Sequence, residues 1–182
     1  MLDNPTHGSV VLDGVDTMTL TGNELARLRG KKIGFVFQTF NLYPTLDVSE
    51  NIALPMRIHE FDDALIKERV ERLTGLVKLG HRARHMPSQL SGGEKQRVAV
   101  ARALSTMPEI ILADEPTGNL DSKTSLEIMG LLEELHKNEK KTIVLVTHDH
   151  AVAAFAERVI EIKDGKVLRD ERTRGPRKNA RK

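Results

Sequence analysis

The sequence predicts an α/β fold built on a parallel sheet, and three observations carry that reading. Residues 110–113 form a continuous apolar run, as expected of a parallel strand buried on both faces. Strand-like and helix-like segments alternate from residue 110 to residue 162, the pattern that lays helices over a parallel sheet. Ser91-x-x-Glu94 is a capping box opening a helix that runs to about Thr106 and is stopped by Pro108.

The remaining elements come in order along the chain. Residues 9–13 alternate apolar and polar around Val10 and Leu12 and then meet Gly14, which reads as a short antiparallel strand and turn. Residues 21–29 read as a short helix with Leu25 and Leu28 on one face. A compact apolar strand over residues 33–37 ends at Gln38, and the loop over residues 39–47 holds Phe40, Leu42, Tyr43, Pro44 and Leu46. Residues 48–56 are mixed and read as helical up to Pro55. Asp62 and Asp63 cap a helix whose apolar residues Ile66, Val70, Leu73 and Val77 repeat at helical spacing, and Gly80 suits its C-terminal end. Residues 81–87 form a basic loop leading to the Ser91 helix. Another helix spans roughly residues 122–138, with Ile128, Leu131, Leu132 and Leu135 on one stripe. Thr142–Val146 reads as a second buried strand, ending at Thr147-His148. After a helix near residues 150–157, residues 159–162 and 167–168 flank Asp164-Gly165, a hairpin signal.

Composition narrows the function. The 182 residues, 39% hydrophobic and 30% charged, suffice for one soluble globular domain with a core. No apolar run approaches the ~18 residues that a spanning helix needs. Residues 1–10 lack the basic and apolar regions of a signal peptide. With no Cys, disulfides, thiolate zinc sites and Cys nucleophiles are excluded, which fits a cytosolic chain. Residues 172–182 hold six Lys/Arg and no acid, leaving 22 basic against 26 acidic residues elsewhere, a net charge of −4. The body is therefore mildly acidic, and no nucleic-acid partner is expected. Aromatics at 3% argue against a base-stacking platform. The basic tail, with Gly175-Pro176, reads as disordered and solubilising, with the charge to touch anionic lipid headgroups.

Chemistry concentrates in two strings. In Leu90-Ser91-Gly92-Gly93-Glu94, the glycines let backbone N–H groups approach an anion, the helix adds its positive end, and the Ser91 hydroxyl can bond a phosphate oxygen. Taken alone, Ser91 and Glu94 need no ligand, because a capping box explains them. In the second string, a strand delivers Asp114 and Glu115 at its C-terminal end, where open α/β sheets bind ligands. There Asp114 suits Mg²⁺, and Glu115 suits polarising an attacking water. The string continues as Pro116-Thr117-Gly118-Asn119-Leu120-Asp121, which two solvated acids would not require. Gln38, at the end of its strand, offers a neutral amide to Mg²⁺ or water. His148, after its strand, can bond a γ-phosphate or orient the water and Glu115. Asp121 either sets geometry between two subunits or caps the helix at Ser122, and both readings are compatible.

These motifs, in this order from about residue 9 to residue 170, resemble the nucleotide-binding subunits of ABC transporters. The resemblance implies a P-loop NTPase-like parallel sheet core with a helical signature subdomain over about residues 48–107, in one domain of residues 1–171. It implies that Gln38 is the Q-loop, Leu90 to Glu94 the signature, the strand ending in Asp114 and Glu115 Walker B, Asn119 to Asp121 the D-loop and His148 the switch histidine. Glu94 stands where Gln is commoner. The stretches from Gly34 to Leu42 and from Thr117 to Asp121 are most similar to the macrolide-exporter, lipoprotein-release and cell-division branch. For function, the resemblance implies ATP with Mg²⁺, a head-to-tail pair of ATP-binding subunits, a membrane-spanning permease, and a place on the inner face of the cytoplasmic membrane. No G-x-x-x-x-G-K-[ST] string occurs in the sequence, so the expectation is a chain lacking the N-terminal strands and P-loop unit. That unit carries the main phosphate cradle and its Lys, and without it weak ATP binding and aggregation are expected. An ATPase subunit read from too late a start and a non-hydrolysing partner lending Ser91 to Gly93 are the two competing readings. A chromosome-maintenance or repair ATPase is disfavoured by the absence of coiled-coil heptads and zinc cysteines.

Overall fold

A computed structural model describes residues 5–173. Of the expected basic tail, all but Arg172 and Thr173 lies outside the described residues, and Arg172 is not tail at all but the end of a strand. The chain opens with a tight hairpin of β1 (Val11–Leu12) and β2 (Val15–Asp16), turned by Asp13 and Gly14 at φ 53° and 76°. Helix α1 (Gly22–Lys32) starts with a capping box between Thr21 and Glu24 and runs directly into β3 (Ile33–Val36).

Three strands make the central sheet. β3, β4 (Ile110–Asp114) and β5 (Thr142–Val146) are parallel in the order β3-β4-β5, with Ile33 opposite Ile110 and Ile110 opposite Thr142. The parallel sheet expected from the sequence is therefore present. Burial on both faces is not. Ile111 and Ala113 are buried, and their neighbours Ile143 and Leu145 pack on the same core. On the opposite face Ile110 and Leu112 are half-buried, while Val144 and Val146 are 48% and 58% exposed. The large core lies on only one side of the sheet, so β5 is a half-covered strand, not the buried one expected.

Helices α4 (Gly92–Leu104) and α5 (Ser122–Glu139) supply most of that core. Val98, Val100, Ala101 and Leu104 of α4 meet Ile128, Leu131, Leu132 and Leu135 of α5 together with Val36 and Ile111 of the sheet. A helical layer precedes α4. In it α2 (Val48–Ile58) continues through Pro55 for three more residues instead of stopping there, with the missing Pro55 N–H leaving one i→i−4 bond unmade. α3 (Asp63–Leu76) ends on Lys78 in the left-handed region at φ 60°, the place expected for Gly80, which instead begins a 3-10 turn. After β5 the expected helix shrinks to one turn, α6 (His150–Ala153). The hairpin β6 (Arg158–Lys163) and β7 (Lys166–Arg172) comes last, turned by Asp164 and Gly165 at φ 49° and 73°. It forms its own two-stranded sheet, with Ile160, Ile162, Val167 and Leu168 exposed.

Candidate active site

The C-terminal ends of the three parallel strands deliver the site. β4 ends at Asp114, whose side chain is exposed. The next residue, Glu115, leaves the strand in the left-handed region at φ 42°, a conformation that L side chains adopt rarely and that persists where the surroundings enforce it. Two backbone bonds enforce it here. The Glu115 N–H donates to Val146 O of β5 at 2.9 Å, and the Gly118 N–H closes a turn onto Glu115 O at 3.0 Å.

This twist turns the Glu115 carboxylate toward the end of β5. His148 Nδ1 donates to Glu115 Oε1 at 2.6 Å. That hydrogen bond first, and the Glu115 charge second, raise the His148 pKa above its ordinary value. On the other side, a Cβ placed on Gly118 would lie 2.6 Å from Gln38 Nε2 and 3.2 Å from Glu115 Oε2. Only glycine lets the Gln38 amide and the Glu115 carboxylate crowd that turn. Asn119 completes the group by donating from Nδ2 to Gln38 O at 3.0 Å. Gln38, Glu115 and His148 thus come together past the ends of the strands, and Asp114 closes β4 just before Glu115.

Ser91, Gly92, Gly93 and Asp121 form a second group. Ser91 caps α4: its hydroxyl accepts from Glu94 N at 3.3 Å, and its N–H donates to Glu94 Oε2 at 2.8 Å. The Ser91 N–H is the chief cause of a Glu94 pKa below the usual carboxylate range. The N–H groups of Gly92 and Gly93, in the first turn of the helix, have no intrahelical acceptor, and Gly92 is exposed. Gly93 has a packing role as well. Its absent Cβ would sit 2.4 Å from Thr124 Cγ2, so α4 and α5 touch where that side chain is missing. Asp121 caps α5, accepting from Lys123 N and Thr124 N at 3.1 and 3.0 Å and from Thr124 Oγ1 at 2.6 Å. Those bonds, the Thr124 hydroxyl foremost, lower the Asp121 pKa. The capping reading of Asp121 therefore holds. The ligand roles of this second group rest on its exposed N–H groups.

Several supporting residues were not foreseen. Arg102 donates from Nη2 to Phe40 O at 2.9 Å and from Nη1 to Asn41 O, pinning two consecutive left-handed residues just past Gln38. Fully buried Asn51 gathers the carbonyls of Tyr43, Leu46 and Asp47 from the same loop. Gln96 is also fully buried and donates to Pro116 O at 2.7 Å. The sequence did carry a signal for these: polar side chains at core-facing positions of helices, which burial requires to be hydrogen-bonded. Among the described residues no group of three or more His, Asp or Glu side chains forms a metal cage.

The comparisons agree with this geometry. The ABC transporter family profile matches residues 1–118. The uncharacterized ABC transporter ATP-binding protein MJ0796 of Methanocaldococcus jannaschii is 51% identical over 179 residues, covering 96% of this chain and 76% of that protein. The macrolide export ATP-binding/permease protein MacB of Rhodopirellula baltica is 49% identical over 176 residues, of which this chain spans only 26% of the length. Among solved structures, dimeric MJ0796 in a post-hydrolysis state bound to ADP and Pi superposes with a TM-score of 0.83 at 48% identity, covering 96% of this chain and 77% of that one. A second dimeric MJ0796 structure has the same TM-score at 49% identity. Strand ends that gather Gln38, Asp114, Glu115 and His148, on an α/β sheet shared with these cassettes, place the chain in the ABC transporter family, as an ABC-type ATPase of the MacB and MJ0796 kind.

Proposed function

We propose that this chain serves as the ATP-hydrolysing subunit of an ABC transporter, working in a head-to-tail pair on the cytoplasmic face of a membrane. Its output drives export or membrane extraction of cargo through a separate permease. The observation that carries the reading is the 2.6 Å contact between His148 and Glu115, set against the Gln38 amide at Gly118.

The donor set suits the family's nucleotide and metal. Asp114 and the Gln38 amide offer oxygen ligands past the ends of two neighbouring strands, and Mg²⁺ typically takes one or two protein ligands beside water and phosphate oxygens. ATP with Mg²⁺ supplies the phosphoryl group to be cleaved and the charge that polarises it. Glu115 accepts the proton of the attacking water. His148 holds Oε1 and so turns the other carboxylate oxygen toward the Gln38 side. Gln38 positions the water or a metal ligand beside it. The N–H groups of Gly92 and Gly93 and the Ser91 hydroxyl meet the phosphates held by the partner subunit, and Asp121 stiffens the adjoining loop.

A groove of about 370 Å³ beside the Gln38 loop suits the permease. Phe37, Asn41 and Tyr43 line it together with Leu54 and Ile58 of α2 and His59 just after that helix.

In a form that also carries a phosphate-binding G-x-x-x-x-G-K-[ST] loop, Glu115→Gln should stop turnover and still permit ATP-dependent closure of the pair. Near-parental hydrolysis by that variant would remove Glu115 from the role of base. We also infer that the chain on its own grips ATP weakly, since it carries no G-x-x-x-x-G-K-[ST] string. Micromolar nucleotide binding by the purified chain would overturn this. A second reading, resting on the α4 N-terminus alone, is a non-hydrolysing partner that lends Ser91 to Gly93 to an intact subunit. In that case Ser91→Arg abolishes the pair's ATPase and Glu115→Gln leaves it unchanged, whereas equal loss from both rejects the partner role.

A further inference from the structure

We propose that Gln96 is a positioning residue that locks the Gln38 and Glu115 loops to the helix carrying Ser91. Gln96 sits in α4 with none of its surface exposed. Its Nε2 donates to Pro116 O at 2.7 Å and, more weakly, to Phe37 O at 3.5 Å. Pro116 is the residue after Glu115, and Phe37 is the residue before Gln38. Both carbonyls lie past the ends of their strands, since β3 stops at Val36 and β4 at Asp114. Where the sheet releases its two site-bearing segments, one amide group takes hold of both.

The other end of that amide argues that this grip is not incidental packing. Gln96 Oε1 is buried and has no hydrogen-bond partner among the described residues. A buried, unpaired amide oxygen is unfavourable, and an apolar Met of similar length would fill the same space without it. Keeping the amide sacrifices stability and retains two carbonyls at a fixed separation. Local rules are broken in this way mainly where function needs the geometry.

The wider effect of the lock rests on the head-to-tail pairing proposed for this chain. In such a pair, Ser91 to Gly93 serve one nucleotide and Gln38, Glu115 and His148 serve the other. α4 carries Ser91 at its N-cap and Gln96 in its interior. Gln96 therefore connects the chain's contribution to one composite site with its contribution to the second.

Amide hydrogen exchange by NMR on the full chain tests the lock without nucleotide. In Gln96→Met and Gln96→Glu, the Gly118 N–H and the Asn119 side-chain amide, which bond Glu115 O and Gln38 O, exchange about tenfold faster. The Ile111 and Val98 amides keep their protection, and the Tm of Gln96→Met moves by less than about 4 °C. Unchanged exchange at Gly118 and Asn119 overturns the proposal. So does a uniform loss of protection along α4 and β4, which would mark Gln96 as core filling only. A measurement on the unsubstituted chain does not depend on any variant folding: its Gln96 Nε2 protons exchange at least about a hundredfold slower than those of an exposed Gln, and solvent-like exchange there also rejects the lock. Pairing the chain with an intact ABC subunit separates the two readings. Gln96→Met then lowers kcat with KM unmoved, while a pair whose ATPase never depends on this chain sinks the nucleotide reading and leaves the exchange result standing.

Discussion

Replacing Gly93 by Ala tests whether the signature glycine is required by packing as well as by a ligand. The new Cβ would lie 2.4 Å from Thr124 Cγ2, while the other Thr124 atoms nearby, Cβ and Oγ1, stay at 3.7 and 3.8 Å. Carbon atoms in favourable contact sit about 3.5–4.0 Å apart, so the overlap is confined to one methyl group. Overpacking of this kind costs about 1–3 kcal/mol. Ala recovers up to about 1 kcal/mol over Gly in a helix, which leaves a net loss of up to about 2 kcal/mol. Thr124→Ser deletes the offending methyl and keeps the hydroxyl that Asp121 accepts at 2.6 Å. Alone it costs less than about 1 kcal/mol. In G93A/T124S the clash is gone and the helix propensity of Ala remains, so stability returns to that of Thr124→Ser or above it. Far-UV circular dichroism during urea denaturation is the assay of choice, since the chain has no Trp and one Tyr. For a chain of this size the G93A loss corresponds to at most roughly 8 °C in Tm. A coupling energy below about 0.5 kcal/mol between the two positions would refute the packing argument. In that event the glycine answers only to what binds at Ser91.

Two further outcomes concern contacts at the site and in the loop beside it. Glu115 raises the His148 pKa, so the pair contributes stability fully below the ordinary histidine value of about 6.5 and loses it as pH climbs through the raised value. Glu115→Gln should bring the His148 midpoint, tracked by NMR, down toward that ordinary value, and an unmoved midpoint would mean the contact does not form in solution. Asn51→Ala removes one acceptor to Tyr43 N and three donations to Tyr43, Leu46 and Asp47 carbonyls. It should cost about 2–4 kcal/mol by urea denaturation, and a loss under about 1 kcal/mol would show that water replaces those bonds.

Local chemistry made much of the fold legible. The capping box at Ser91, the periodic stripe of α5 and the Asp164-Gly165 turn each declare themselves within a few residues, and each element stands where its signal lies. Two misreadings came from treating one residue as decisive. Pro55 sits inside α2 with one helix bond unmade, and Lys78 takes the left-handed position although Gly80 is nearby. The coverage of the sheet was not legible either, because an apolar run such as residues 110–113 reads the same whether one face or two are covered. At the site, the residues that do chemistry were visible in their strings. The residues that hold them were not, since Gln96, Arg102 and Asn51 act on backbone carbonyls outside their own motifs. Nothing in a sequence string marks which carbonyl a buried amide will reach.

The outer side of β5 has no strand partner among the described residues. Its amide and carbonyl groups there must be satisfied by water or by a further strand. That edge is also the near wall of the site, because Val146 accepts from the Glu115 N–H on one side and leads within two residues to His148 on the other. The dipoles and the wetness of an exposed backbone edge are thus brought within reach of the Glu115–His148 pair. Whatever comes to lie along β5 changes the solvent in which that proton contact operates.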